Sequence, residues 1–127
     1  MGHVYADVKV KGAKDEVTLK GVIVDTGASY TALPEDVVEG VGAWLLPHRI
    51  SLELGDGSVV EADTYAVIIS VGDRTAATIA VSFRDAKTVI GVRALEDLGL
   101  KVVPSSGELE PTRPRGLAYF YHLGNLT

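Results

Sequence analysis

The 127-residue chain is 46% apolar, 23% charged and 6% aromatic, the make-up of one ordinary globular domain and not of a disordered or repetitive polymer. It has no cysteine, which excludes disulfides and thiolate chemistry, and its three histidines, His3, His48 and His122, are too scattered to suggest a metal site. Seventeen acidic against twelve basic side chains give a net charge of -5, opposite to what a phosphate backbone attracts, so no nucleic-acid partner is expected. Most of the excess lies early: residues 1–63 carry eleven acids and five bases, residues 64–127 six and seven. No apolar run reaches the roughly 18 residues that cross a bilayer, and Met1-Gly2-His3-Val4 lacks the basic flank and apolar stretch of a signal peptide. The expectation is a cytoplasmic protein with no membrane partner.

Val4 to Val10 alternates valine with polar residues, Lys11 to Asp15 supplies a glycine-containing turn, and Glu16 to Val24 becomes apolar at its end, the pattern of a β-hairpin with a buried second arm. Pro34 to Glu39 has proline at a helix start, acids in the first turn and Gly40 after the end, which predicts a short helix. His48 to Glu53 and Val59 to Ala66 are strand-like and flank Leu54-Gly55-Asp56-Gly57-Ser58, whose Asp-Gly pair suits a tight turn, so a second, projecting hairpin is expected. Ala66 to Val71 and Ala76 to Phe83, joined by Gly72-Asp73-Arg74, make a third. Thr88 to Gly91 is a short apolar strand. Val92, Leu95 and Leu98 then recur at helical spacing, with Gly99 where a helix C-terminal glycine belongs. Pro104 to Gly116 holds three prolines and two glycines, linker composition, which divides the chain into a domain over 1–103 and a tail over 104–127. The tail closes on Leu117 to Leu123, an apolar run expected as a strand that covers itself against a neighbour.

The strongest chemical signal is Gly21-Val22-Ile23-Val24-Asp25-Thr26-Gly27-Ala28-Ser29, in which an apolar strand delivers an aspartate into a glycine turn. A carboxylate at a buried strand end must be held by donors, by a partner charge or by a shared proton. Gly27 lets backbone N–H groups approach it, and Thr26 offers a hydroxyl that can bond across a symmetric contact. Average residue usage makes Asp-Thr-Gly turn up by chance roughly a few times in a hundred chains of this length, so context decides its weight.

In that context residues 4–103 resemble the retropepsin-like aspartic proteases, the single-lobe family that includes the retroviral enzymes. The likeness rests on a hairpin feeding Val24-Asp25-Thr26-Gly27-Ala28, a glycine-bearing hairpin over residues 50–63 in the place of the flap, and Val89-Ile90-Gly91 followed by a short helix ending at Gly99. It implies an all-β, closed acid-protease barrel with one or two short helices, assembled as a homodimer. Aspartic proteolysis needs two carboxylates that share a proton, one to deprotonate water and one to protonate the scissile carbonyl. Asp-Thr-Gly occurs once here and no second half repeats it, so the resemblance implies that the second carboxylate comes from another chain across a two-fold axis. Carried over by position, Asp25 is the catalytic acid/base, Thr26 and Gly27 brace it, and Ala28, Ile90 and the flap-tip residues Gly55, Asp56 and Gly57 contact an extended peptide or protein substrate. No metal, cofactor or covalent intermediate is implied. Relatives with serine in place of Ala28 have one more donor beside the carboxylate, so a less acidic activity optimum is expected here.

Two features depart from the viral pattern. Viral enzymes follow the apolar-apolar-Gly triplet with an arginine that pairs with an aspartate just beyond the catalytic turn; here Gly91 is followed by Val92 and then Arg93, and Ser29 stands where that aspartate would be. The viral amino-terminal interface strand is also missing from the expected elements, leaving Leu117 to Leu123 either as the candidate for a terminal-strand interface or as a segment packed against its own subunit. Trp44 is expected as core under the flap, and Tyr30 and Leu33 as core behind the turn. Asp56 and Glu61 do not have the ligand spacing of an EF-hand, and Ser29 lacks a Gly-x-Ser-x-Gly setting and a nearby histidine. The rival from another class is a non-catalytic peptide-binding or dimerisation module on the same fold.

Overall fold

The protein was analysed as a computed structural model that describes residues 3–120. In chain order these residues form β1 (Val4–Lys11), β2 (Glu16–Val24), β3 (Thr31–Ala32), α1 (Glu35–Val41), β4 (Trp44–Glu53), β5 (Val59–Val71), β6 (Arg74–Ser82), β7 (Val89–Ile90), α2 (Val92–Leu98), β8 (Leu100–Val103) and β9 (Glu108–Pro111). The fold is mostly β. Seven strands make one sheet in the order β1-β2-β7-β3-β6-β5-β4, and a further pairing of β1 with β5 brings the sheet nearly round into a ring, with β4 hanging outside it on β5.

The valine alternation expected in β1 is what the ring needs. Val4, Val8 and Val10 point inward and are buried, while Tyr5 and Asp7 point out. Inside, Val10, Leu33, Val67, Ile69 and Ile90 meet Val38 and Val41 of α1 and Leu95 and Leu98 of α2 in a single core. Each such side chain contributes about 1.5–3 kcal/mol relative to exposure. Hairpin β1–β2 slips register between Ala6 and Val8, beside Gly21, whose φ of 62° fits a residue without a Cβ and whose N–H donates to Asp7 Oδ1 at 2.9 Å.

Several expectations shift. Helix α1 passes Gly40 and stops at Gly42, in the left-handed conformation, because Val38 and Val41 both reach the core and draw the helix on by two residues. The two segments meeting at Ala66 are one 13-residue strand, β5, long enough to pair with β4, β6 and β1. Strand β4 starts at Trp44 and not at His48, and Trp44 is 45% exposed instead of core, since this first stretch pairs only with the outer edge of β5. Leu33 is core as expected.

The region of linker composition holds structure. Pro104 and Gly107 sit in the tight turn of hairpin β8–β9, and Leu109 packs on the core. Residues 117–120 form no strand, and Phe120 is 88% exposed; Tyr121, His122 and Leu123 of the expected apolar strand lie outside the described residues. Among the described residues no helix is long and apolar enough to cross a membrane.

Candidate active site

Strand β2 runs parallel to β7, with Ile23 opposite Val89 and Val24 opposite Ile90. At its end the Asp25 N–H donates to the Ile90 carbonyl at 2.9 Å, and the chain then turns back so that the Ala28 N–H donates to the Asp25 carbonyl at 3.1 Å. The Gly27 N–H donates to Asp25 Oδ1 at 2.8 Å, and a Cβ on Gly27 would stand only 3.1 Å from that oxygen. The turn thus gives the carboxylate one backbone donor, at a glycine where a side chain would crowd the carboxylate oxygen.

Beneath it the floor is interlocked. Thr31 and Ile90 are almost fully buried, and Thr31 Oγ1 accepts from the Gly91 N–H at 3.1 Å. Gly91 has no room for a Cβ, which would strike the Tyr30 carbonyl group and lie 2.9 Å from the Ala28 oxygen. Helix α2 starts here: the Val92 N–H donates to Ala28 O at 2.8 Å and the Arg93 N–H to Ser29 O at 3.2 Å. The Arg93 guanidinium lies 4.8 Å from the Tyr30 ring centroid. In this chain backbone bonds and that cation–π contact join the turn to the helix where the viral pattern has an ion pair.

Between this floor and the inner face of the β4–β5 hairpin runs a cleft of about 980 Å³. Asp25, Gly27, Ala28 and Gly55 line it, as expected. Thr26 is exposed within the same turn, but the lining stops at Gly55, so Asp56 and Gly57 of the hairpin tip stand outside it. Ile90 is 0% exposed and lies under the floor; its neighbour Val89 faces the cleft instead. The buried setting expected of Asp25 is not found in the single chain, because the strand ends at buried Val24 and the turn carries residues 25–27 out to solvent.

Among the wall residues that sequence reasoning missed are Tyr30, Ile50, Leu52, Val81, Phe83, Asp85 and Lys87. The half-buried residues of β4 were accessible to it, since Ile50 and Leu52, followed by Leu54 just past the strand, alternate with the more exposed Ser51 and Glu53, which also reach the cleft. The loop from Phe83 to Thr88 carried no periodic signal. Asp85 holds a φ of 62° there, a left-handed conformation that aspartate tolerates better than most residues.

The cleft's charged lining consists of three carboxylates, Asp25, Glu53 and Asp85, and one cation, Lys87. At the hairpin tip the Ser58 hydroxyl and then its backbone N–H hold the Asp56 carboxyl below the usual carboxylate range, with donor distances of 2.6 and 2.9 Å. At the hairpin's base, burial and then the nearby charges of Asp63, Glu39 and Glu35 push the Tyr65 hydroxyl up. Among the described residues no three His, Asp or Glu side chains converge as metal ligands would. A scan against models of known protein families and a search of curated proteins both found no match for this chain.

Proposed function

We propose that two copies of this chain assemble a retropepsin-like aspartic endopeptidase in which Asp25 and its symmetry mate form the catalytic dyad. The observation that carries this reading is the placing of Asp25: its carboxylate stands open to solvent on the floor of a cleft large enough for a peptide, tied by one N–H of its own turn. A surface that exposes an aspartate, a threonine hydroxyl and a glycine together is well suited to meet a copy of itself. The walls fit an extended substrate. Ile50, Leu52, Val81, Phe83 and Val89 offer apolar contact to side chains, and a strand-like backbone lying under the hairpin can add its own hydrogen bonds.

In the proposed reaction the ionised member of the dyad takes a proton from water as the water oxygen bonds to the scissile carbonyl carbon. The protonated member donates to the carbonyl oxygen. The tetrahedral diol then collapses: the nitrogen receives a proton, the C–N bond breaks, and an acid and an amine leave. The test is incubation of an unfolded protein at mildly acid pH. Cleavage that pepstatin-type inhibitors block and that disappears in Asp25→Asn supports the endopeptidase; tight peptide binding without cleavage supports the non-catalytic module.

A further inference from the structure

Helix α2 has only seven residues, about 10 Å of helix, and is held by the burial of Ala94, Leu95 and Leu98 in the core together with contacts at both ends. It has no side-chain N-cap, no acid in its first turn and no base in its last. Its N-terminal donors are spent on the carbonyls of Ala28 and Ser29, that is, on the turn carrying Asp25. Its C-terminal carbonyls are taken by arginines from elsewhere. Arg113 donates from Nη1 to Glu96 O and from Nη2 to Asp97 O, both at 2.8 Å, while its Nε holds Leu117 O at 2.7 Å. Arg74, 9% exposed at the start of β6, donates from Nη1 to Leu98 O and Gly99 O at 3.1 Å and from Nη2 to Arg113 O at 2.8 Å. The Thr112 N–H closes on Gly99 O at 2.7 Å. Gly99 leaves just enough room: a Cβ there would lie 2.9 Å from Arg74 Nη1 and 3.0 Å from two carbons of Arg113. Two positive charges thus sit on the negative end of the helix, the favourable sign for its dipole.

We infer that Arg113 is a positioning residue: it clamps the end of α2 and, through that rigid helix, holds the Asp25 turn in place. The segment after β9 is then part of the site's support, a strap tying the chain's last described stretch to its catalytic floor. The consequence for turnover rests on the endopeptidase reading; the mechanical link does not. Misplacing a catalytic group by about 1 Å lowers the rate without weakening substrate binding.

The experiment compares Arg113→Ala, Arg113→Lys and, as a control on the same strap, Arg115→Ala, which removes only an exposed ion pair with Asp73. Full-length proteins are followed by amide hydrogen exchange, by steady-state cleavage of a peptide and by solution mass. In Arg113→Ala, exchange at Val92, Arg93 and Ala28 is expected to quicken about tenfold while Val10, deep in the core, keeps its protection. The same variant loses about tenfold in kcat with KM held within about twofold and the dimer intact. Arg113→Lys, which has fewer donors to offer, falls between, and Arg115→Ala matches the wild type. Quickened exchange confined to residues 96–99 and 112–117, or a rate loss that follows dissociation of the dimer, would overturn the inference. If Arg113→Ala does not fold, Arg113→Lys decides on the same two readouts. If the wild type cleaves nothing, the proposed reaction fails, and exchange at Val92 and Arg93 still decides whether the strap reaches the turn.

Discussion

The floor and the roof of the cleft are built by opposite means. The floor is made from the shortest of the described strands, β3 and β7, with two residues each, locked by the buried contacts of Ile90, Thr31 and Gly91 and by backbone bonds into α2. The roof is made from two of the longest, β4 and β5, paired as an antiparallel hairpin whose outer part adds only exposed side-chain contacts, Arg49 with Asp63 at 2.9 Å and Ser51 with Glu61 across the strands and Asp56 with Ser58 within the turn. Where atoms are closely packed a small change is felt as strain or as a void, whereas exposed pairs contribute little and are easily exchanged. The contrast is the one the proposed endopeptidase would need, a carboxylate held still beneath a more yielding roof.

The largest effect expected from this contrast is on stability. Ile90→Ala opens a void under the floor and should cost about 2–5 kcal/mol. Arg49→Ala, which removes an ion pair with partners 60% and 45% exposed, should cost less than about 1 kcal/mol. Denaturant midpoints measured side by side check both; equal losses would erase the distinction between floor and roof. A middle-sized effect is expected on the pH–rate profile. Ala28→Ser brings a hydroxyl donor toward the Asp25 turn, which favours the ionised carboxylate and moves the acidic limb to lower pH; a shift upward contradicts the role given to residue 28.

The smallest effect is at the hairpin tip. The Asp56 carboxyl is lowered by its bonds to Ser58, so the folded form is favoured above the ordinary aspartate value of 3.8, and that tie is lost as pH falls through the lowered one. The Ser58 amide resonance should therefore titrate with a midpoint below 3.8. A midpoint at or above that value would show that the tip is not held by this contact.

The legible parts of the sequence were those with local rules. Alternation in Val4–Val10, the Asp-Gly pair at the β4–β5 turn and the 92-95-98 spacing with Gly99 each name an element from a few residues. What sequence reasoning lost depends on partners far along the chain. Nothing near Trp44 says that its strand pairs on one side only, and nothing near Ile90 distinguishes a residue facing the cleft from one beneath it, since the two differ by a single step of alternation. Pro104 to Gly116 was misleading for a third reason: prolines and glycines that mark a linker also mark tight turns, and the pairing of β8 with β9 and the reach of Arg113 to the carbonyls of α2 show which applies. For Asp25 the turn was evident but its exposure was not, because a strand end can deliver a side chain inward or outward.

Everything chemical here depends on two Asp25 carboxyls meeting. The most direct measurement is solution mass taken together with specific activity across a dilution series. The expected result is an active species of twice the 13.4 kDa chain and activity per chain that falls as the dimer dissociates. A species of single-chain mass that retains full activity at every dilution would contradict it.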